Sequence, residues 1–416
     1  MKSNPILGLG VSVLAASVAS SALAATTDSV NRQIRGLNDR LSAYENRFRV
    51  NGFATLGLTQ SDEELAYNDI NNETNFRRNT KAGVQMTFNL DEQSSVITQF
   101  VSRGTNDFET KMEWAYFKHQ FTHNLSSKIG RIRSPLYMLS EYIDVGYAVP
   151  WATMPQETYQ TMDVFSNMDG ADLSYSMEVG DLLAGVQFAY GRIDSDLIDL
   201  DDVMSIGFTL AGDAWQTRLA YSQANTTSRV GGVALYGDDT PVKGSFSSLG
   251  FTYDPGSIYL AAESTLLTVD GSLPDASATY ATVGYRFGRW MPHLTYAMNE
   301  STDDDDRSLE TAVDNAAPGL TPAQLAAADP AGFTTLATNV SGYQATFNRK
   351  TTRIGLGARW DYTSGVAIKF QYDMITVDDA AGLFGSTPAD AAAYASAADD
   401  APDSTNIFSI SIDTVF

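Results

Sequence analysis

The sequence predicts an all-β protein, a transmembrane antiparallel β-barrel of about sixteen strands. Three observations carry this prediction. Apolar and polar side chains alternate over segments of about ten residues, every second connection between segments is tight, and aromatic residues gather beside the tight turns.

The chain opens with Met1-Lys2, an apolar stretch through Val18, and small residues ending Ala22-Leu23-Ala24-Ala25. A charged start, a short apolar core and an A-x-A-like site are the parts of a secretory signal peptide, so residues 1–24 are set apart from the fold. Residues 25–49 come next, with Val30, Ile34, Leu37, Leu41, Tyr44 and Phe48 at alternating steps of four and three. That spacing is an a/d seam, read either as a short periplasmic coiled coil that helps assemble a trimer or as one amphipathic helix on the barrel rim. So short a helix is marginal by itself.

From residue 50 to residue 416 the period becomes two. Ala82, Val84, Met86, Phe88 and Leu90 alternate with Lys81, Gly83, Gln85, Thr87 and Asn89, and the pattern returns at 169–178, 202–211, 277–287 and 365–377. One face is apolar and the other polar or small. Asp91-Glu92-Gln93, Thr122-His123-Asn124, Val179-Gly180-Asp181, Gly212-Asp213, Asp254-Pro255-Gly256, Gly288-Arg289 and Thr363-Ser364-Gly365 supply tight turns. The intervening connections are longer and more polar, the longest between Glu300 and Lys350. A β-sandwich would alternate as well, but only a barrel across a membrane segregates short turns to one side and long loops to the other. Phe121, Trp215, Tyr253, Phe287, Trp290, Tyr362 and Phe416 lie beside the short turns or at the last residue, where a membrane–water interface favours amphipathic rings.

Composition closes off other classes. Past the signal segment no apolar run is long enough for a transmembrane helix. A formal charge of −23 argues against nucleic acid as a partner. With no Cys there is neither a disulfide framework nor a thiolate metal site, and His119, His123 and His293 have no metal-ligand spacing. No cofactor is expected, and no catalytic residue. The acidic surplus falls in the long loops: Asp303 to Asp306, the 378–404 stretch, and Asp194, Asp196, Asp199, Asp201 and Asp202. These read as solvated loops, with a divalent-cation bridge to lipopolysaccharide as the alternative.

The last strand, Ile407-Phe408-Ser409-Ile410-Ser411-Ile412-Asp413-Thr414-Val415-Phe416, ends an alternating run on an aromatic residue, and Gly130-Arg131-Ile132-Arg133-Ser134-Pro135 leads into the third long loop. On these segments and the strand pattern the chain resembles the Gram-negative trimeric porins of sixteen strands. With its heptad segment it is similar to those carrying an N-terminal periplasmic coiled coil, of which the DcaP type is one. The resemblance implies export to the cell outer membrane, periplasmic N- and C-termini, a homotrimer among lipid and lipopolysaccharide, and a third loop (133–168) folded inward to constrict the pore. It implies an outer-membrane porin, a water-filled channel for passive diffusion of small hydrophilic solutes and ions, and not an enzyme. The alternative is a barrel with an adhesin, structural or enzymatic role.

Channel selectivity comes from pore width and charged lumen side chains. Strand parity offers Lys81, Arg131, Arg218, Arg286, Arg353, Arg359 and Lys369 as the basic wall. In the resembled porins such a wall faces carboxylates on the inward loop, here Glu141, Asp144, Glu157 and Asp163, to set up a transverse field. Tyr137, Tyr142, Tyr147, Trp151 and Tyr159 in that loop read as anchors to the barrel wall, or as a track for sugars or aromatic acids.

Overall fold

The computed structural model describes residues 47–159, 165–195, 198–228, 241–271, 273–379, 384 and 401–416. The signal segment and nearly all of the heptad segment lie outside the described residues; within the latter, strand structure already begins at Phe48.

One closed sheet holds sixteen antiparallel strands in chain order. They are β1 (Phe48–Ser61), β2 (Lys81–Asn89), β3 (Ser94–Arg103), β4 (Thr110–Gln120), β5 (Leu125–Arg133), β6 (Asn167–Val179), β7 (Leu182–Asp194) and β8 (Ile198–Ala211). The circuit continues with β9 (Trp215–Ser228), β10 (Val242–Tyr253), β11 (Ile258–Val269), β12 (Ala276–Tyr285), β13 (Trp290–Ser301), β14 (Lys350–Thr363), β15 (Val366–Asp379) and β16 (Ser404–Val415). β16 pairs with β1 from Phe53↔Val415 to Ser61↔Ile407, which removes both sheet edges.

Alternation decides the faces. Val84, Leu173, Phe208, Leu249, Leu356 and Ile412 are exposed, whereas Thr55, Ser205, Ser248, Thr282, Ser409 and Ser411 are buried. An exposed apolar outer face around a polar inner one is the arrangement hydrocarbon imposes on a spanning barrel. At the short-turn end Phe121, Phe287, Trp290, Tyr362 and Phe416 stay exposed, and Trp290 stacks on Trp360 with ring centroids 5.5 Å apart.

The long connections differ from the expectation in three places, the first being that Asp378 and Asp379, read as loop, end strand β15, where Asp379 pairs with Lys350. Asp194 ends β7, and Asp199, Asp201 and Asp202 are strand rather than loop: β8 runs back to Ile198 and pairs with β9 from Ile198↔Ser228 onward, with an irregularity between Asp201 and Met204. Backbone pairing continues beyond the apolar band, where a carboxylate meets water at little cost. The acidic run enters a 3-10 turn, Asp304–Arg307, whose buried Arg307 pairs with Asp303 at 2.6 Å and Asp304 at 2.7 Å. Three helices follow in the same connection, α1 (Leu309–Ala316), α2 (Pro322–Ala328) and α3 (Pro330–Phe347). Side-chain oxygens of Ser308, Thr321 and Asp329 cap their N-termini, and Pro starts two of them.

Candidate functional site

The connection between β5 and β6 crosses the barrel interior. Its residues bond inward-facing side chains of β11, β12, β13, β15 and β16, contacts that a loop rooted between β5 and β6 reaches only from inside a closed barrel. Met138 N–H donates to Glu263 at 2.7 Å, Trp151 Nε1 donates to Thr282 and Thr295 at 3.1 and 2.9 Å, and Thr153 Oγ1 donates to Ser409 at 3.1 Å. Tyr159 Oη donates to Glu263 at 2.7 Å and lies 2.9 Å from Tyr280 Oη. Tyr137, Trp151 and Tyr159 are buried in one apolar cluster with Ile132, Met168 and Phe246, so three of the five loop aromatics are anchors. Tyr142 is exposed, and Tyr147 lies under the Arg359 guanidinium at 4.7 Å.

Charge does the rest of the fastening. Arg353 is held between Glu157, at 2.9 Å, and Asp373, at 3.4 Å, all three buried. Lys369 pairs with Asp413 at 2.9 Å and donates to the carbonyls of Gly146 and Trp151. Arg359 donates to the carbonyls of Tyr147 and Val149, Lys81 to that of Ile143, and Arg218 to that of Pro135. Five of the seven basic candidates therefore end on the loop itself. Among the five, Arg353 meets a loop carboxylate, the other four end on loop carbonyls, and Lys369 and Arg359 pair with Asp413 and Asp361 of the strands.

Two basic candidates lie elsewhere. Arg286 pairs with Asp254 at the short-turn end. Arg131 stands directly opposite Asp169 and pairs with it at 3.3 Å, on the side of β6 that exposes Ala171, Leu173 and Tyr175. Its backbone position lies on the outward side of β5, yet its half-exposed side chain also borders a cavity of about 780 Å³ inside the barrel, and it holds Asp169 rather than the loop. Ile129 is exposed and Ile132 lies in the loop's apolar core, but Arg133 is buried as well, so strict alternation does not run to the end of β5, where Gly130 takes a positive φ of 131°.

Among the loop acids, Asp144 receives Arg133 at 2.6 Å and Arg103 at 2.7 Å. Burial alone would raise this carboxyl, but the two guanidiniums outweigh it and hold it well below the usual carboxylate range. Glu141 is half-exposed and pairs with Lys128 at 2.9 Å; burial opposes its ionisation and Lys128 more than compensates, so its pKa is lowered. Glu157 belongs to the Arg353 cluster, and Asp163 lies outside the described residues. Sequence reading missed Arg103, Glu113, Glu263, Asp373 and Asp413. Asp373 and Asp413 stand on the polar face of legible strands, so parity offered them. Glu113 sits at a register shift of β4 against β3, which periodicity does not report.

The loop leaves space on two sides. Between it and β1 and β2 is a cavity of about 160 Å³ bordered by Thr55, Asn79 and Lys81. A larger cavity of about 780 Å³ opens against the walls of β7 to β12. Among the described residues no cluster of His, Asp and Glu is placed to hold a metal ion.

No family model matches the chain, and no curated protein does. Solved structures do. OmpF of Salmonella typhi, in complex with daunomycin, superposes with a TM-score of 0.55 at 13% identity, over 89% of this chain and 97% of that one. The anion-selective porin from Comamonas acidovorans gives 0.54 at 13% identity, over 89% and 99%. The outer membrane channel DcaP of Acinetobacter baumannii gives 0.53 at 11% identity, over 89% and 97%. At such identities the likeness is one of fold: this chain has the closed sixteen-strand barrel of outer-membrane porins.

Proposed function

We propose that the chain is an outer-membrane channel through which small hydrophilic solutes and ions diffuse passively. Residues 1–24 direct its export, the short turns and both termini face the periplasm, and the outer rim meets lipopolysaccharide. The observation that carries this reading is a closed barrel of sixteen strands, apolar outside and polar inside, with one loop folded across its interior and open cavities beside it. Sixteen strands enclose an aqueous lumen where eight would be filled by side chains. In this reading the loop segment from Ser134 onward is the constriction, and Lys81, Arg218, Arg353, Arg359 and Lys369 act on permeation by holding it in place.

A homotrimer is part of the proposal, supported by an OmpT of Vibrio cholerae with the same fold that was solved in a trimer form. Planar-bilayer recording of the purified protein tests the reading. Discrete conductance steps are expected, in multiples of three if trimers insert. A folded protein that never passes current overturns the channel reading.

One observation favours an enzymatic alternative: Ser94 Oγ lies 3.0 Å from His119 Nδ1. The nearby Asp91 carboxylate, however, accepts from the backbone N–H groups of Gln93 and Ser94 rather than orienting the ring, so the arrangement lacks the order of a hydrolytic triad. Ester hydrolysis lost in Ser94→Ala would revive that alternative.

A further inference from the structure

The wall of the larger cavity is not uniformly polar. Ile193, Val203 and Phe246 belong to the core that anchors the inward loop, yet the apolar lining runs past that core to Val269, Leu273, Pro274 and Phe347. Anchoring the loop does not account for these. Register shows how the lining is ordered. Phe246 stands opposite Leu267, Leu267 opposite Ala276, and Ala276 opposite Ser301, whose backbone N–H donates to the Arg349 carbonyl at 2.8 Å. Residues directly opposite in a ladder share a face, so an apolar row crosses β10 to β12 and ends beside Arg349.

Arg349 lines the same cavity, and among the described residues no carboxylate pairs with it. Lys111, also without a carboxylate partner among the described residues, is exposed at the cavity edge, whereas the nearby guanidiniums are paired. Arg103 is taken up by Glu113 and Asp144, Arg131 by Asp169, and Arg307 by Asp303 and Asp304. A guanidinium without a carboxylate partner, at one end of an apolar row, calls for a ligand that supplies both missing halves.

We propose that this wall binds a solute with an aliphatic body and a single anionic head, a medium-chain fatty acid, with its carboxylate on Arg349 and its chain along Leu273, Leu267 and Phe246. The proposal rests on the channel reading and names a solute class for it. Strands are spaced about 4.8 Å apart, so three steps from Arg349 to Leu267 cover roughly 14 Å, a span that an arginine side chain and a short alkyl chain bridge together. A sugar would find too few donors and acceptors along this row, and a small inorganic anion would gain nothing from it.

The test is block of ionic current through the full-length protein in a planar bilayer by acetate, butyrate, hexanoate and neutral hexanamide. Apparent affinity is expected to rise about two- to fourfold for each methylene added, as burial of the chain predicts. Arg349→Gln weakens hexanoate block roughly tenfold, the loss of a charged hydrogen-bonded contact. Leu267→Asn flattens the dependence on chain length while leaving acetate unchanged. Equal block by acetate and hexanoate, equal block by hexanamide, or full hexanoate block in Arg349→Gln overturns the site. Steady current with no block by hexanoate also overturns the site and leaves the channel intact, whereas absence of current overturns the channel reading itself.

Discussion

Arg353 and Glu157 meet inside the barrel with Nε 2.9 Å from Oε1, and the two side chains keep 1% and 0% of their surface exposed. One belongs to β14 and the other to a short helical turn, Gln156–Tyr159, of the inward loop, so the pair joins wall to loop. Removing one partner of a buried pair strands the other charge, which costs about 3–5 kcal/mol. Arg353→Ala leaves Glu157 and Asp373 uncompensated together. A lower unfolding temperature is expected, read from the heat-induced mobility shift of the barrel on gels, along with noisier single-channel current as the loop loosens. An unchanged transition would mean that the pair does not secure the loop.

Much of the barrel was legible because hydrocarbon outside and polar contacts inside force opposite preferences on neighbouring residues. Every strand predicted from period two is present, and the tight turns fall where Gly, Asp and Asn placed them. What periodicity does not encode is the filling of the interior. Ile129 is exposed and Ile132 buried, and Arg133 beside it is buried as well on Asp144, so period two does not run to the end of β5. The interior beside β5 is the apolar core of the inward loop, where Ile132 is buried, while Arg131 pairs with Asp169 at the edge of the larger cavity. Likewise, Arg353 and Glu157 lie far apart in the chain, and only the path of the loop brings them together.

Asp144 gives a pH dependence. Its folded pKa is depressed by Arg103 and Arg133 despite its burial, so its stabilising contribution is complete above the unfolded value of about 3.9 and fades as pH falls toward the depressed one. The difference in channel noise between the wild type and Asp144→Asn is therefore expected to hold steady from pH 7 down to about pH 4 and to shrink only below that. A difference that vanishes near neutrality would contradict the pairing.

Among the described loop acids named above, Glu141 keeps the most open surface, with 54% of its side chain exposed beside Lys128. With Glu141 open to solvent, though Lys128 keeps only 19% of its surface, the pair contributes about 1 kcal/mol or less to stability, so substituting Glu141 leaves the barrel intact. Neutralising a carboxylate on the ion path shifts the reversal potential in a salt gradient toward anions. Glu141→Gln is expected to move it that way and Lys128→Gln the opposite way. Identical potentials in all three proteins would place the pair off the path.

The barrel seam offers a steric test. Gly52 and Phe416 exchange backbone bonds, Gly52 N–H to the Phe416 carbonyl at 2.8 Å and Phe416 N–H to the Gly52 carbonyl at 3.0 Å, and the Phe416 ring covers the place a Gly52 Cβ would need. Gly52→Val pushes the ring aside at the end of the β1–β16 seam proposed above to face the periplasm, an overpacking cost of about 1–3 kcal/mol. A smaller folded fraction after refolding into lipid is expected, measured by the same gel shift. Gly342, in exposed helix α3, has open space around its Cβ position. Gly342→Ala should therefore fold as well as the wild type or slightly better, since it restricts the unfolded chain without a clash. If both substitutions refold equally, the packing of Phe416 on Gly52 is not what closes the seam.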